Sequence, residues 1–351
     1  MSDIFQNLSH VLRGAAFMFF TLLSISTYPE RNKNNMKKIL FWSMVLLAFL
    51  ELKDMVFLDE RFWENGYIND IVMLIDMMYV PVIALFFFET VSPGWIRWKR
   101  VLPVFLPSAA LTVIYILFPS DTVMNITMTY VLLFGCTVTA VILISAYRQD
   151  RRMKSYFSDT DGISVLWVRN AISALFISLV AWNILLWKQS WLGDSAYYAV
   201  SILVWAYIYS LAIKHKVIDF SETSVAPAAA QTDCSCGEDS GLTKMRLDKC
   251  MAEQELFLNP RLTLQDFAAA VGTNRTYLSD YLNNTMGMTF YEYINGLRAE
   301  RSAELMKGGG RQALAEIAEK SGFNSMSTFN RSFSRHFGCT PGQFLKKARN
   351  D

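Results

Sequence analysis

The stretch "ALAEIAEKSGFNSMSTFNRSFSRHFGCTPGQF", from Ala313 to Phe344, reads as two short helices around a tight turn. In residues 312–320, "QALAEIAEK", Leu314, Ile317 and Ala318 fall on one helical face; "SGFNS" interrupts the period, and Ser325 stands where a hydroxyl caps the helix that follows. Phe329, Phe333 and Phe337 then recur every fourth residue. That spacing assigns them to packing against Leu314 and Ile317 rather than to base stacking. The opposite face carries Met326, Ser327, Asn330, Arg331, Ser334 and Arg335.

The same arrangement occurs earlier in the chain. Thr263 and Asp266 in "LTLQDFAAAVG" form a T-x-x-D capping box, Gly272 ends that helix, and Asn274 is placed to cap "NRTYLSDYLNN". A short helix, a Gly-containing turn and a second short helix make a helix-turn-helix unit, and two copies are far more specific than one. Leu278 and Leu282 point inward, leaving Thr276, Ser279, Asp280 and Asn283 outside. Between the units lies "FYEYINGLRAERSAELMK", residues 290–307. A helix of that length spans about 27 Å, enough to hold two reading helices near the roughly 34 Å spacing of successive major grooves. Residues 244–256 add another helix candidate, and the glycines of "KGGGRQAL" leave the second unit's start poorly capped.

Taken together, "LTLQDFAAAVGTNRTYLSDYLNN", "YINGLRAERSAELM", "IAEKSGF" and "FNRSFSRHFGCTPGQF" resemble the DNA-binding domain of the AraC/XylS family of bacterial transcription regulators. The resemblance covers the C-terminal third and implies double-stranded DNA as partner, with self-association as a homodimer and contact with RNA polymerase as further expectations. It places Ser327, Thr328, Asn330 and Arg331 toward the major groove or its phosphates. Asn pairs bidentately with adenine and Arg with guanine; Arg331 acts either in that way or as a phosphate clamp. Asp280 departs from the family habit of Arg or Lys: either it accepts from a cytosine amino group, or this helix contributes little affinity, or Asp280 pairs with Arg275 or another nearby basic residue as a surface charge. Residues 241–351 hold 15 Lys or Arg against 11 Asp or Glu, so phosphate contacts are expected from a few placed groups, among them Arg298, Arg335 and backbone amides at helix N-termini.

The rest of the chain has a different character. Of 351 residues, 52% are hydrophobic and 18% charged, with a mean hydropathy of +0.23, and the apolar surplus lies before residue 217. A membrane-spanning helix needs roughly 20 apolar residues, and seven runs qualify: about 9–28, 39–58, 67–89, 101–119, 125–147, 163–187 and 195–213. The fold class expected is therefore all-α: a transmembrane bundle over 1–216, a flexible tether over 217–241 and an AraC-type domain over 242–351. Lys and Arg alternate between loops: Arg31, Lys33, Lys37 and Lys38; Arg97, Lys99 and Arg100; Arg148, Arg151, Arg152 and Lys154; then Lys214 and Lys216. The opposite loops offer only Arg61 and Lys188, which puts the N-terminus outside and the C-terminal domain in the cytoplasm of a cell bounded by this membrane. The first residues show no basic leader region, so no signal peptide is expected. The tether's Cys234 and Cys236 lack the second ligand pair of a zinc site, and Cys250 and Cys339 fall on the reducing side.

Ionisable residues within lipid are costly and carry functional hypotheses. Glu51, Lys53 and Asp54 in the second run, with Asp70 and Asp76 in the third, group in the outer half. They form either a pocket for a cationic or hydrogen-bonding signal ligand, still unidentified, or an internally paired set such as Lys53 with Asp70. The last run has no lysine for a retinal Schiff base; three histidines, no Walker A loop and no nucleophile with its base argue against an enzyme, and no cofactor is implied. The expected function is a one-component sensor regulator in the lipid bilayer. A transporter-like protein with a regulatory tail and a regulator merely anchored there stand as alternatives.

Overall fold

A computed structural model describes residues 2–56, 65–188, 191–216, 247, 255–308 and 313–350. The expected tether, Cys234, Cys236, Cys250, residues 57–64 and part of the glycine run at 309–312 lie outside the described residues. Among the described residues the chain is almost wholly helical, and β-structure is limited to one isolated antiparallel bridge, Phe157 to Thr263. The chain divides into two compact units. One comprises Met1–Gln149 and Val165–Val225; the other joins Asp150–Ser164 to Ala226–Asp351. A fifteen-residue piece from inside the apolar half therefore belongs with the C-terminal unit, which a single cut near residue 217 does not anticipate.

The first unit is built from α1 (Ser2–Thr27), α2 (Asn35–Val56), α3 (Gly66–Met77), α4 (Tyr79–Val91), α5 (Trp98–Leu117), α6 (Asp121–Tyr156, whose last turns pass into the second unit), α7 (Leu166–Lys188) and α8 (Trp191–Lys214). The expected third run is one apolar stretch broken at Met78, because Pro81 has no N–H to give the Met77 carbonyl. Five helical stretches among the described residues are long and apolar enough to cross a membrane: Ile4–Glu30, Gly66–Val91, Trp98–Leu117, Asp121–Tyr156 and Trp191–Lys214. The other two expected runs fall on helices outside that set. Charges at both ends of α2 (Lys37, Lys38, Glu51, Lys53 and Asp54) set it apart, and the apolar described part of α7, Leu166–Trp182, is shorter. Phe20, Leu40, Met44 and Trp205 are buried in this unit. Lys37 is buried too, its Nζ donating to the carbonyls of Ala212 at 2.9 Å and Ile213 at 2.6 Å, so a cation closes the C-terminal end of α8.

The second unit contains α9 (Leu264–Val271), α10 (Arg275–Asp280) running into a π-turn at Tyr281–Thr285, α11 (Phe290–Lys307), α12 (Leu314–Lys320), α13 (Met326–Phe337) and α14 (Pro341–Asn350). Two apolar cores are strung along the 18 residues of α11. Phe267, Leu278, Leu282, Phe290 and Ile294 make the first; Ala299, Ala303, Ile317, Phe323, Phe329 and Phe333 make the second. The aromatic stripe of α13 is core, as its spacing indicates. Both local starts also form as their residues dictate: Thr263 and Asp266 close a capping box, and the Ser325 hydroxyl accepts the Thr328 amide at 3.2 Å. Thr289 and Glu292 add a second capping box at the head of α11 that the sequence reading did not include.

Gly322, in the "SGF" turn, has φ +83° and sits against backbone: a Cβ there would lie 2.7 Å from the Phe257 carbonyl oxygen and 2.7 Å from Leu258 Cα. Only glycine fits both the left-handed conformation and that approach. Gly322→Ala is predicted to destabilise the second unit by roughly 2 kcal/mol or more, since neither neighbour is a side chain that swings away. Hydrogen exchange of residues 314–333 reads this out: lost protection is expected, and unchanged protection would show that the turn relaxes freely.

Candidate nucleic-acid interface

The two helix-turn-helix units present α10 and α13 as their second helices, each started by a side-chain cap, Asn274 and Ser325. Around α10, Thr276, Ser279, Asp280 and Asn283 line one depression of about 370 Å³, together with Arg275, Asn284 and Tyr156. Asn283 donates to the Ser279 carbonyl at 2.8 Å, and Asp280 accepts from Asn284 at 2.5 Å. Arg275 does not pair with Asp280; its guanidinium lies 5.3 Å from the centre of the Tyr156 ring. The carboxylate on this helix is thus tied to a neighbouring amide.

On α13, Ser327, Asn330, Arg331 and Arg335 are exposed, whereas Thr328 is buried. The two arginines turn back toward α11: Arg331 donates to the Tyr291 hydroxyl at 3.3 Å, and Arg335 pairs with Glu292 at 2.6 Å. Burial alone would raise Glu292, but the Thr289 amide and hydroxyl and the Arg335 guanidinium hold its carboxyl below the usual range. Thr328 is covered because its hydroxyl donates to Asp161 Oδ1 at 3.1 Å; the Ser325 hydroxyl meets the other oxygen of Asp161, and Asn324 donates to Asp159 Oδ2 at 2.9 Å. Asp159 and Asp161 come from the segment between α6 and α7. In sequence that segment, "FSDTDGIS", is only a polar break after a run of basic residues, and nothing in its pattern names a partner.

Arg298 is not at the surface. It is 1% exposed, and its guanidinium makes five hydrogen bonds: to the carbonyls of Phe257 (2.6 Å), Asn259 (2.7 Å) and Ser158 (3.4 Å), to the Ser158 hydroxyl (3.2 Å) and to Asn295 Oδ1 (3.1 Å). Burial lowers its pKa to about 10, so it remains charged at neutral pH. The expectation of a phosphate contact fails on geometry: all of the cation's reach is spent inside the domain. An amphipathic reading missed this because Arg298 shares the inner side of α11 with Ile294 and Ser302, where sequence shows only a basic residue on a helix.

In the apolar unit, Lys53 Nζ lies 2.6 Å from Asp54 and 2.9 Å from Asp76, and donates to the Val72 carbonyl at 3.3 Å; Arg13 donates to the Asp54 carbonyl at 3.4 Å. Asp70 is engaged instead by the Tyr115 hydroxyl. Glu51 is buried, and its Oε2 has no hydrogen-bond partner among the described residues.

Residues 267–347 match a helix-turn-helix domain family. The Msm operon regulatory protein of Streptococcus mutans is 29% identical over 90 residues, covering 26% of this chain and 32% of that protein. The virulence regulon transcriptional activator VirF of Yersinia enterocolitica is 32% identical over 98 residues, covering 28% and 35%. RhaR of Klebsiella pneumoniae, a transcriptional activator, is 29% identical over 103 residues, covering 29% and 36%. The chain spans about a third of the length of each of these relatives.

Arg298→Ala is predicted to lower the stability of the C-terminal unit by about 3 kcal/mol or more, since it leaves buried carbonyls unpaired. Arg298→Lys, with one nitrogen for three elements, recovers only part of that. Thermal unfolding followed by circular dichroism checks this; a normal melt with weakened, less salt-dependent DNA binding would restore the phosphate role. By fold, by turn chemistry and by relatives, the C-terminal part of the chain carries an AraC-type helix-turn-helix domain.

Proposed function

We propose that this protein is a membrane-embedded one-component transcription regulator. Its N-terminal helices take up an outer or intramembrane signal, and its C-terminal domain binds promoter DNA through α10 and α13. The observation that carries the DNA half is the mounting of two capped helix-turn-helix units on one 18-residue helix, with Thr276 and Ser279 on one reading helix and Ser327, Asn330 and Arg331 exposed on the other. Five apolar helices of spanning length support the membrane half. The excess of Lys and Arg in alternate loops supports an orientation with the N-terminus outside and the DNA-binding domain in the cytoplasm.

Signal uptake is assigned to the polar cluster of Glu51, Lys53, Asp54 and Asp76. A buried carboxylate oxygen with no partner among the described residues, near an ion-paired lysine, is the kind of polar group a membrane protein retains for use. Glu51→Gln with Asp76→Asn is expected to abolish inducibility while leaving the uninduced level of DNA binding unchanged. Unchanged regulation would reduce the bundle to an anchor, and solute flux across vesicles would make it a transporter.

Genome-wide occupancy of the full chain in its host, beside that of the Asn330→Ala, Arg331→Ala variant, tests the regulator reading. Discrete sites are expected for the parent, with loss of about tenfold or more in occupancy for the variant, since each good bidentate base contact contributes about 1–3 kcal/mol of discrimination. Absence of discrete sites for the parent sinks the reading.

A further inference from the structure

We propose that Tyr156–Asp161 is an acidic strap whose Asp159 and Asp161 occlude the start of the second reading helix, α13, so that DNA is read there only when they are displaced. The inference rests on the regulator reading above and adds how the domain is kept off DNA. The strap traverses the whole second unit. Tyr156 forms one wall of the depression that Thr276 and Ser279 of α10 also line. Phe157 bridges to Thr263 at the head of α9, and the Ser158 amide and hydroxyl both donate to the Leu262 carbonyl, at 3.3 and 2.7 Å. Asp159 and Asp161 then engage Asn324, Ser325 and Thr328 at the start of α13.

The chemistry at that last contact is what makes it an occlusion. A helix-turn-helix reads base edges with the N-terminal residues of its second helix. The same end of a helix, with its unpaired amides and positive dipole, is where a phosphate oxygen binds. Two carboxylates placed there supply acceptor oxygens to the hydroxyl and amide side chains that a duplex would use, and they repel the phosphates of any duplex that approaches. Covering Thr328 removes one of the residues expected at the groove.

The strap has an anchored part and a covering part. Ser158 is held by two side chains of α11: its carbonyl takes Asn295 Nδ2 at 2.8 Å and the Arg298 guanidinium, which also bonds its hydroxyl. Beyond it, Asp159 accepts the Asp161 amide at 3.0 Å, and Gly162 turns the chain with φ +77°. The covering part can swing about Gly162 while Ser158 stays in place. Both ends of the strap continue into apolar helices, α6 and α7, so a displacement of either within a bilayer pulls on it along the chain.

The test uses the full chain in lipid nanodiscs and a pool of random-sequence duplex DNA long enough to span two major-groove turns, with a polyanion competitor. Asp159→Asn with Asp161→Ala keeps the strap's turn but removes its charge. Retention of duplex is expected to rise by on the order of tenfold, within the usual range of intramolecular couplings. Equal or weaker retention by the variant, with the parent still binding, overturns the strap and leaves the regulator reading standing. No duplex retained by either protein overturns both. Should the double variant melt early, Asp161→Asn alone carries the same comparison, with a smaller rise expected and no rise counting against the strap.

Discussion

A guanidinium with 1% of its surface exposed must have its donors satisfied, and Arg298 meets that demand by joining three pieces of chain that are far apart in sequence. It binds the turn before α9 through Phe257 and Asn259, the strap through Ser158, and its own helix through Asn295. Gly322 then approaches Phe257 and Leu258 closely enough to exclude any side chain, so the turn of the second helix-turn-helix unit rests on the same segment that Arg298 holds. The two cores along α11 are thereby fixed relative to one another across a cationic centre rather than by a continuous apolar seam.

From that constraint the position of the strap follows. Once Ser158 is fixed to α11, Tyr156 falls beside the first reading helix and Asp161 at the start of the second. On α13, Arg335 is balanced from within by Glu292 at 2.6 Å, and His336 Nε2 lies 3.3 Å from Glu300. In this arrangement the face that should meet phosphate is modestly charged and partly covered. Regulation by release, rather than by assembly of the reading surface, is the natural consequence, because both units are already folded and capped.

Much of this was legible in the residues. The Thr263–Asp266 capping box, the Phe329–Phe333–Phe337 period and the Gly272 and Gly322 turns are local signals, and local signals specify local structure: α9, α11 and α13 form where Thr263, the 290–307 period and Ser325 indicate. What the sequence did not show depends on contacts between distant segments. Arg298 and Arg335 look alike on a helical wheel, yet one is sealed in the interior and the other is exposed. Asp159 and Asp161 read as loop because their partners lie more than 160 positions away. Likewise, Lys53 selects Asp54 and Asp76, while Asp70 finds Tyr115 on α5.

Hydrogen exchange of the full chain in nanodiscs, with and without a duplex it retains, bears most directly on occlusion. If the strap stands where DNA must go, amides of residues 159–164 lose protection when duplex is added, while those of 326–331 gain it. Unchanged or increased protection of 159–164 in the DNA-bound protein would mean that strap and duplex occupy the domain together, and the strap would then be a structural brace with no part in keeping the reading helices from DNA.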